Sequence, residues 1–146
     1  MARDLEANKA VVVRAWAAYS AGDEAAFAAC LTDDWREYDG AGNETGLDDE
    51  RGAMAAHRVA FPDKQTEVEA ILAEGDLVSV MTHTTATHLG PYFDAPATGK
   101  RVRIHEISLH RIRDGRIAQT WAEIDGPGFY QQVTGRPSPR ATDNMG

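Results

Sequence analysis

Lys100-Arg-Val-Arg-Ile-His-Glu-Ile-Ser-Leu-His-Arg-Ile112, then Arg113-Asp114-Gly115, then Arg116-Ile-Ala-Gln-Thr-Trp-Ala-Glu-Ile-Asp125, is the stretch on which the fold turns. Side chains alternate faces along a strand, so one face carries Ile104, Glu106, Ser108, His110 and Ile112 and the other His105, Ile107, Leu109 and Arg111. Asp114-Gly115 between two such runs is a hairpin turn, because glycine accepts the positive φ of a tight reversal. Two registers are open, and a one-residue slip exchanges the faces. A two-residue turn sets Trp121, Glu123 and Asp125 beside Ser108, Glu106 and Ile104. A three-residue turn with Gly115 as a bulge sets Thr120, Ala122 and Ile124 there, and this is the register expected.

Upstream, residues 66–72 and 77–88 share the β-branched, alternating texture and are joined by Glu74-Gly75-Asp76, a second hairpin signal. The connection 89–99, with Pro91, Pro96 and Gly99, is expected as a loop at the sheet rim. Before Pro62 the period is helical. Leu5, Val12, Trp16 and Tyr19 form one stripe of a first helix stopped by Gly22, Asp23 N-caps a short second, and residues 35–38 make a short strand. The glycine-rich, acidic stretch 39–46 reads as a loop, and Thr45 with Asp48 resembles a capping box. A third helix carries Leu47, Met54, His57 and Phe61 until Pro62 ends it. A last helical turn spans 129–133. The expectation is one α+β domain over 1–135 with a disordered tail over 136–146, in which three helices of the N-terminal half pack on the concave face of a strongly curved antiparallel sheet. A cone with a pocket at its wide end results.

Fifteen basic residues against 23 acidic ones give a formal net charge of −8, which repels phosphate backbones and anionic membrane surfaces. Neither nucleic acid nor membrane is an expected partner. The single cysteine, Cys30, has no disulfide partner and sits in an alanine-rich helical run as a small buried hydrophobe. With no apolar leader, cytoplasm is the expected compartment. Phosphate loops, nucleophile elbows, zinc-protease motifs and dinucleotide fingerprints are all missing, so covalent, metal and nucleotide chemistry lose support.

If the Glu106 face lines the cavity, an acid, a hydroxyl and an imidazole stand among apolar side chains. Glu106 and His110 are four residues apart, about 13 Å along a strand, too far for a direct dyad. Glu106 is the candidate general base in an apolar setting that raises its pKa, and His110 a candidate general acid or oxyanion donor at the substrate's other end. The competing reading pairs Glu106 with an arginine and leaves His110 in solvent. His83 is expected roughly level with Glu106, give or take two residues, able to orient it. His83 and His88 face opposite ways, which argues against a shared metal ion. Trp16, Tyr19, His57 and Phe61 serve as core with a secondary role as pocket wall. Glu37, Ser108 and Thr120 join the pocket candidates, with Asp125 in reserve for the unbulged register.

Phe61-Pro62-Asp63, Glu74-Gly75-Asp76, Thr87-His88-Leu89-Gly90, Pro96-Ala97-Thr98-Gly99, Asp114-Gly115-Arg116-Ile117, Trp121 with Asp125, and Gln131-Gln132 occur in an order that resembles the SnoaL-like polyketide cyclase (ester cyclase) branch of the nuclear transport factor 2-like superfamily. The resemblance implies a cone-shaped barrel, a homodimer or tetramer formed through the outer sheet face, a hydrophobic small-molecule substrate and a pocket needing no cofactor. It implies lyase- or isomerase-type ring closure, in which an aspartate takes a proton from carbon and a histidine stabilises the oxyanion. Set by the Asp-Gly turn, those two positions fall on Ala122 and Ser108, leaving Glu106 and His110 as substitutes. The resemblance leaves a non-catalytic binding protein and an epoxide hydrolase as alternatives. For oligomerisation, Ile107 and Leu109, joined by Trp121 in the bulged register, make the apolar outer patch.

Overall fold

The computed structural model describes residues 4–139. Two helices open the chain, α1 (Leu5–Ala21) and α2 (Glu24–Ala29). The Asp4 carboxylate caps α1 through the Ala7 N–H at 2.9 Å, and Asp23 caps α2 through Ala26 N–H at 3.0 Å. Gly22, at φ +70°, closes α1 because a left-handed residue lets its N–H and the next reach back to the free carbonyls of Tyr19 and Ala18. Leu5 belongs to the expected stripe but is exposed; the buried face is Val11, Val12, Ala15 and Ala18. Cys30 is buried at the end of α2.

Strand β1 (Leu31–Tyr38) is longer than the four residues expected, and the 39–46 segment contains a two-residue strand, β2 (Glu44–Thr45). Helix α3 (Leu47–Ala60) starts one residue later than the Thr45–Asp48 pattern suggests, with Asp49 accepting from the Gly46 N–H at 2.9 Å. Strands β3 (Gln65–Glu74), β4 (Leu77–Thr87), β5 (Arg101–Arg113) and β6 (Arg116–Ile124) follow, then α4 (Gly126–Thr134). The sheet runs β2-β1-β6-β5-β4-β3. It is antiparallel except where β1 lies parallel to β6. The result is the mixed α+β architecture with a curled sheet anticipated above, with six strands among the described residues where five were expected and one parallel pair in a sheet expected to be antiparallel.

Two bulges set the faces. The Asp114-Gly115 hairpin is a tight two-residue turn, both residues at positive φ, +52° and +75°, pairing Arg113 with Arg116 and Ile112 with Ile117. The extra residue is Ala118, not Gly115: the register shifts past Ile117, and Ile117 and Ala118 are consecutive yet both buried. The expected inward set of β6 is therefore reached by another route, but two residues out of the expected pairing: Thr120, Ala122 and Ile124 lie opposite His110, Ser108 and Glu106 rather than Ser108, Glu106 and Ile104. In β3 the shift falls between Val68 and Ala70, leaving Glu69 unpaired.

The core divides in two. Val11, Val12, Ala15, Phe27, Leu31, Trp35, Met54, Val78, Val80, Ile112 and Ile117 belong to one cluster, and Ala60, Phe61, Ala86, Val102, Phe129 and Val133 form a second. The first part of the tail expected to be disordered from 136 onward is instead ordered. Arg136 pairs with Asp94 at 2.6 Å and Ser138 is buried, while residues 140–146 lie outside the described residues.

Candidate functional site

A cavity of about 780 Å³ opens between the helices and the concave sheet face. Its walls include Trp16 and Tyr19 from α1, Glu37 from β1, Glu50 and His57 from α3, Phe61 and Lys64 from the corner after α3, and Ile104, Glu106 and His110 from β5. Thr120, Ala122 and Ile124 of β6 and Tyr92, Phe93, Phe129 and Tyr130 complete it. Such a volume suits a molecule of a few fused rings.

His110 sits on the floor. Its Nε2 is 2.9 Å from the Ser108 hydroxyl, its Nδ1 is 3.0 Å from the Thr120 hydroxyl, and the Trp35 indole N–H donates to that same Thr120 oxygen at 3.1 Å. Burial pushes its pKa down to about 4, so the ring is neutral at physiological pH. Ser108 is fully buried beneath the wall, sealing one ring nitrogen.

Glu106 lies opposite Thr82 of β4 and Ile124 of β6. No described residue forms a hydrogen bond or ion pair with its carboxyl. Burial pushes that group up to about 7, reinforced by Glu50 and opposed by Lys64. Glu37, beside Thr120 across the parallel pairing, is pushed up to about 8 by burial and then by the charges of Glu50, Glu106 and Asp39. Burial also raises Glu50, against which the neighbouring Tyr19 hydroxyl and Lys64 work. Lys64 itself is driven down to about 8 by burial and Arg58. Its Nζ rests 4.5 Å over the Tyr19 ring and 3.5 Å from the Tyr19 carbonyl. Asp63 fixes the corner that aims this lysine, accepting from the Thr87 backbone N–H at 2.7 Å and its hydroxyl at 2.6 Å.

His57 is hydrogen-bonded through Nε2 to the Tyr92 hydroxyl at 3.0 Å, and burial lowers its pKa to about 4. Its Nδ1 and the Trp16 indole nitrogen are buried without a partner among the described residues. Groups of that kind are costly unless a ligand or water reaches them.

Four residues named from sequence lie outside the cavity wall: Ser108, beneath it as described, and His83, His88 and Asp125. His83 lies within the expected two residues of Glu106, but it pairs with His105 while Thr82 pairs with Glu106, and that single residue turns His83 to the outer face, where it cannot orient the Glu106 carboxyl. There it contacts Glu69 at 2.5 Å and Glu67 at 3.2 Å. His88 is wholly buried at the end of β4, bonded to Thr98 Oγ1 at 2.9 Å and packed on Phe61 outside the cavity wall. Asp125 N-caps α4 by accepting from Gly128 N–H at 2.9 Å. Glu50 and Lys64 were not singled out by the sequence reading. Glu50 has a signal, since Leu47, Glu50, Met54, His57 and Phe61 recur at spacings of three and four along one helical stripe. Lys64 has none, because it follows the helix-ending Pro62 in a turn of no period.

Residues 10–133 match the family model of SnoaL-like polyketide cyclases. No curated protein matches. Among solved structures, AclR of Streptomyces galilaeus, described as a candidate hydroxylase, is 28% identical, with 97% of this chain and 90% of that one covered and a TM-score of 0.84. TsrD of Streptomyces laurentii is 26% identical over 89% of this chain and 96% of its own, with a TM-score of 0.77. A candidate SnoaL-like polyketide cyclase from Jannaschia sp. CCS1 covers 94% of this chain and 99% of its own at a TM-score of 0.81, and its 19% identity carries the fold alone.

Proposed function

We propose, from the premise that this chain belongs to the SnoaL-like polyketide cyclase family, that it is a cofactor-independent enzyme of the lyase or isomerase type, drawing a proton from carbon next to a carbonyl of a small, largely apolar molecule. One observation carries the reading: a carboxyl, Glu106, stands in the cavity with no hydrogen-bond or ion-pair partner among the described residues. Held near 7, it is partly ionised at neutral pH and can both accept and return a proton. Lys64, close enough to pull Glu106 downward, supplies the positive charge for the enolate oxygen. Both nitrogens of His110 are engaged by hydroxyls, so its part is to shape the floor rather than to donate a proton.

Proton removal gives a carbanion, which closes a ring by attacking a second carbonyl, and the alkoxide so formed takes back the proton that Glu106 holds. This outcome suits the cyclase description of the family. The decisive experiment is exchange. A 1,3-dicarbonyl aromatic offered in D₂O exchanges its central hydrogen faster with the protein than without, read by mass spectrometry. Tight binding of such molecules without exchange or product favours a silent binding protein, a reading motivated by Ala122 and Ser108 standing where the resemblance places the aspartate and histidine. Epoxide hydrolysis needs paired carboxylates, which Glu37, Glu50 and Glu106 supply, and uptake of ¹⁸O from water into a diol would favour it.

The same proposal includes a homodimer through the outer sheet face. Ile107 is 58% and Leu72 72% exposed there, Leu109 pairs with Trp121, and the Trp121 ring stacks on Tyr38. An apolar strip of this kind is covered by association. Light scattering at micromolar concentration is expected to give twice 15.9 kDa, and Ile107→Asp with Leu109→Asp to halve it; a wild-type mass near 15.9 kDa overturns the dimer.

A further inference from the structure

Charges inside the cavity do not balance. Glu37, Glu50, Glu106 and Asp39 line it, and Lys64 is the one lysine or arginine among the described lining residues. Asp39 is already occupied, accepting from the Ala41 and Asn43 backbone N–H groups and from Asn43 Nδ2. Lys64 acts on Glu50 and Glu106. Glu37 has no such relief: the charges that act on it are Glu50 first, then Glu106 and Asp39, all acids. No described residue bonds to its carboxyl or to that of Glu106.

A buried carboxyl without a counter-charge costs several kcal/mol unless it takes up a proton or a cation. The rest of the lining fits a cation with an apolar body. Trp16, Tyr19, Phe61 and Tyr92 present aromatic surface, and the ammonium of Lys64 over the Tyr19 ring is an instance of such a face accepting positive charge. The approach is acidic too. From Asp39 through Glu50, both ends included, the chain carries five acids and no base, and both end residues line the cavity.

We propose that the molecule this cavity takes carries a basic nitrogen, its ammonium seated against Glu37 and its rings on the aromatic wall. The inference rests on the preceding reading for the location of the site and needs no reaction to occur there. It implies linkage. The titratable groups acting on or facing Glu37 are Glu50 from α3, Glu106 from β5, Asp39 just after its own strand and Tyr19 from α1, so an incoming ammonium drives Glu37 to ionise and a proton leaves. Affinity for an amine therefore rises from pH 6 to pH 8.

Fluorescence titration of the full chain with three probes of one shape tests this: 9-(aminomethyl)anthracene, 9-anthracenemethanol and 9-anthracenecarboxylate. At pH 7.5 the amine is expected to bind at least about ten-fold tighter than the alcohol, and the carboxylate weakest. In Glu37→Gln the ratio of alcohol to amine Kd falls close to one. Calorimetry of the wild-type protein in two buffers of different ionisation enthalpy, which needs no variant, should register proton release with the amine alone. An alcohol that binds wild type as tightly as the amine overturns this inference and leaves the acid–base reading intact. If no probe binds, the cavity as a ligand site fails and both go with it.

Discussion

Replacing Glu106 with glutamine is expected to lower kcat on a confirmed substrate by about 10²- to 10⁴-fold, the span associated with a positioned general base. The amide keeps the shape of the side chain and no described residue bonds to the carboxyl, so the loss reads as lost proton transfer rather than lost packing. The pH profile separates these further. Activity should rise as Glu106 ionises near 7 and fall as Lys64 loses its proton near 8, a narrow bell whose limbs belong to the coupled set rather than to single residues. The glutamine variant should lose the rising limb, and Lys64→Met the falling one. A Glu106→Gln protein within three-fold of wild-type kcat ends the assignment.

Stability should fall by roughly 2 kcal/mol between pH 6.5 and pH 8, at about 1.4 kcal/mol per pH unit for one group. Glu37 and Glu106 are held above the usual 4.5, at about 8 and about 7, so the folded chain keeps protons that the unfolded chain releases. Their contribution is complete below pH 4.5 and is lost as pH rises, through 7 for Glu106 and through 8 for Glu37. His57 and His110 act in the opposite sense, since both are depressed from 6.5 to about 4; their contribution is present above 6.5 and lost as pH falls toward 4. Below 6.5 the two sets offset each other. Above it the carboxyls act alone until Lys64, depressed from 10.5 to about 8, begins to restore stability. For a chain of this size the decline amounts to about 5 °C in Tm. Glu37→Gln should nearly flatten the curve between pH 6.5 and 8. A wild-type Tm that rises across that window contradicts the burial of Glu37.

Much of this molecule was legible because the signals were local. Alternation along 104–112 sends Ile104, Glu106 and His110 to the cavity and Ile107 and Leu109 outward, which follows from strand geometry whatever the neighbours are. Helix stops at Gly22 and Pro62 and the glycine turns at 75 and 115 likewise depend on φ limits of single residues. Less was legible where the answer depended on how strands register. Thr82 rather than His83 faces Glu106 because two strands meet one residue away from the expected offset. The inward set of β6 depends on a bulge at Ala118, a residue with no mark in sequence.

By itself, then, the chain determined its elements, its layer order and the inward face of its longest strand, since those obey periods of two and 3.6 residues and the stereochemistry of glycine and proline. Tertiary structure alone decided which charges share the cavity. Glu37, Glu50, Lys64 and Glu106 come from four segments up to 69 residues apart, and burial and mutual repulsion act through space, so neither the missing counter-charge at Glu37 nor the saturated ring of His110 has any expression along the sequence.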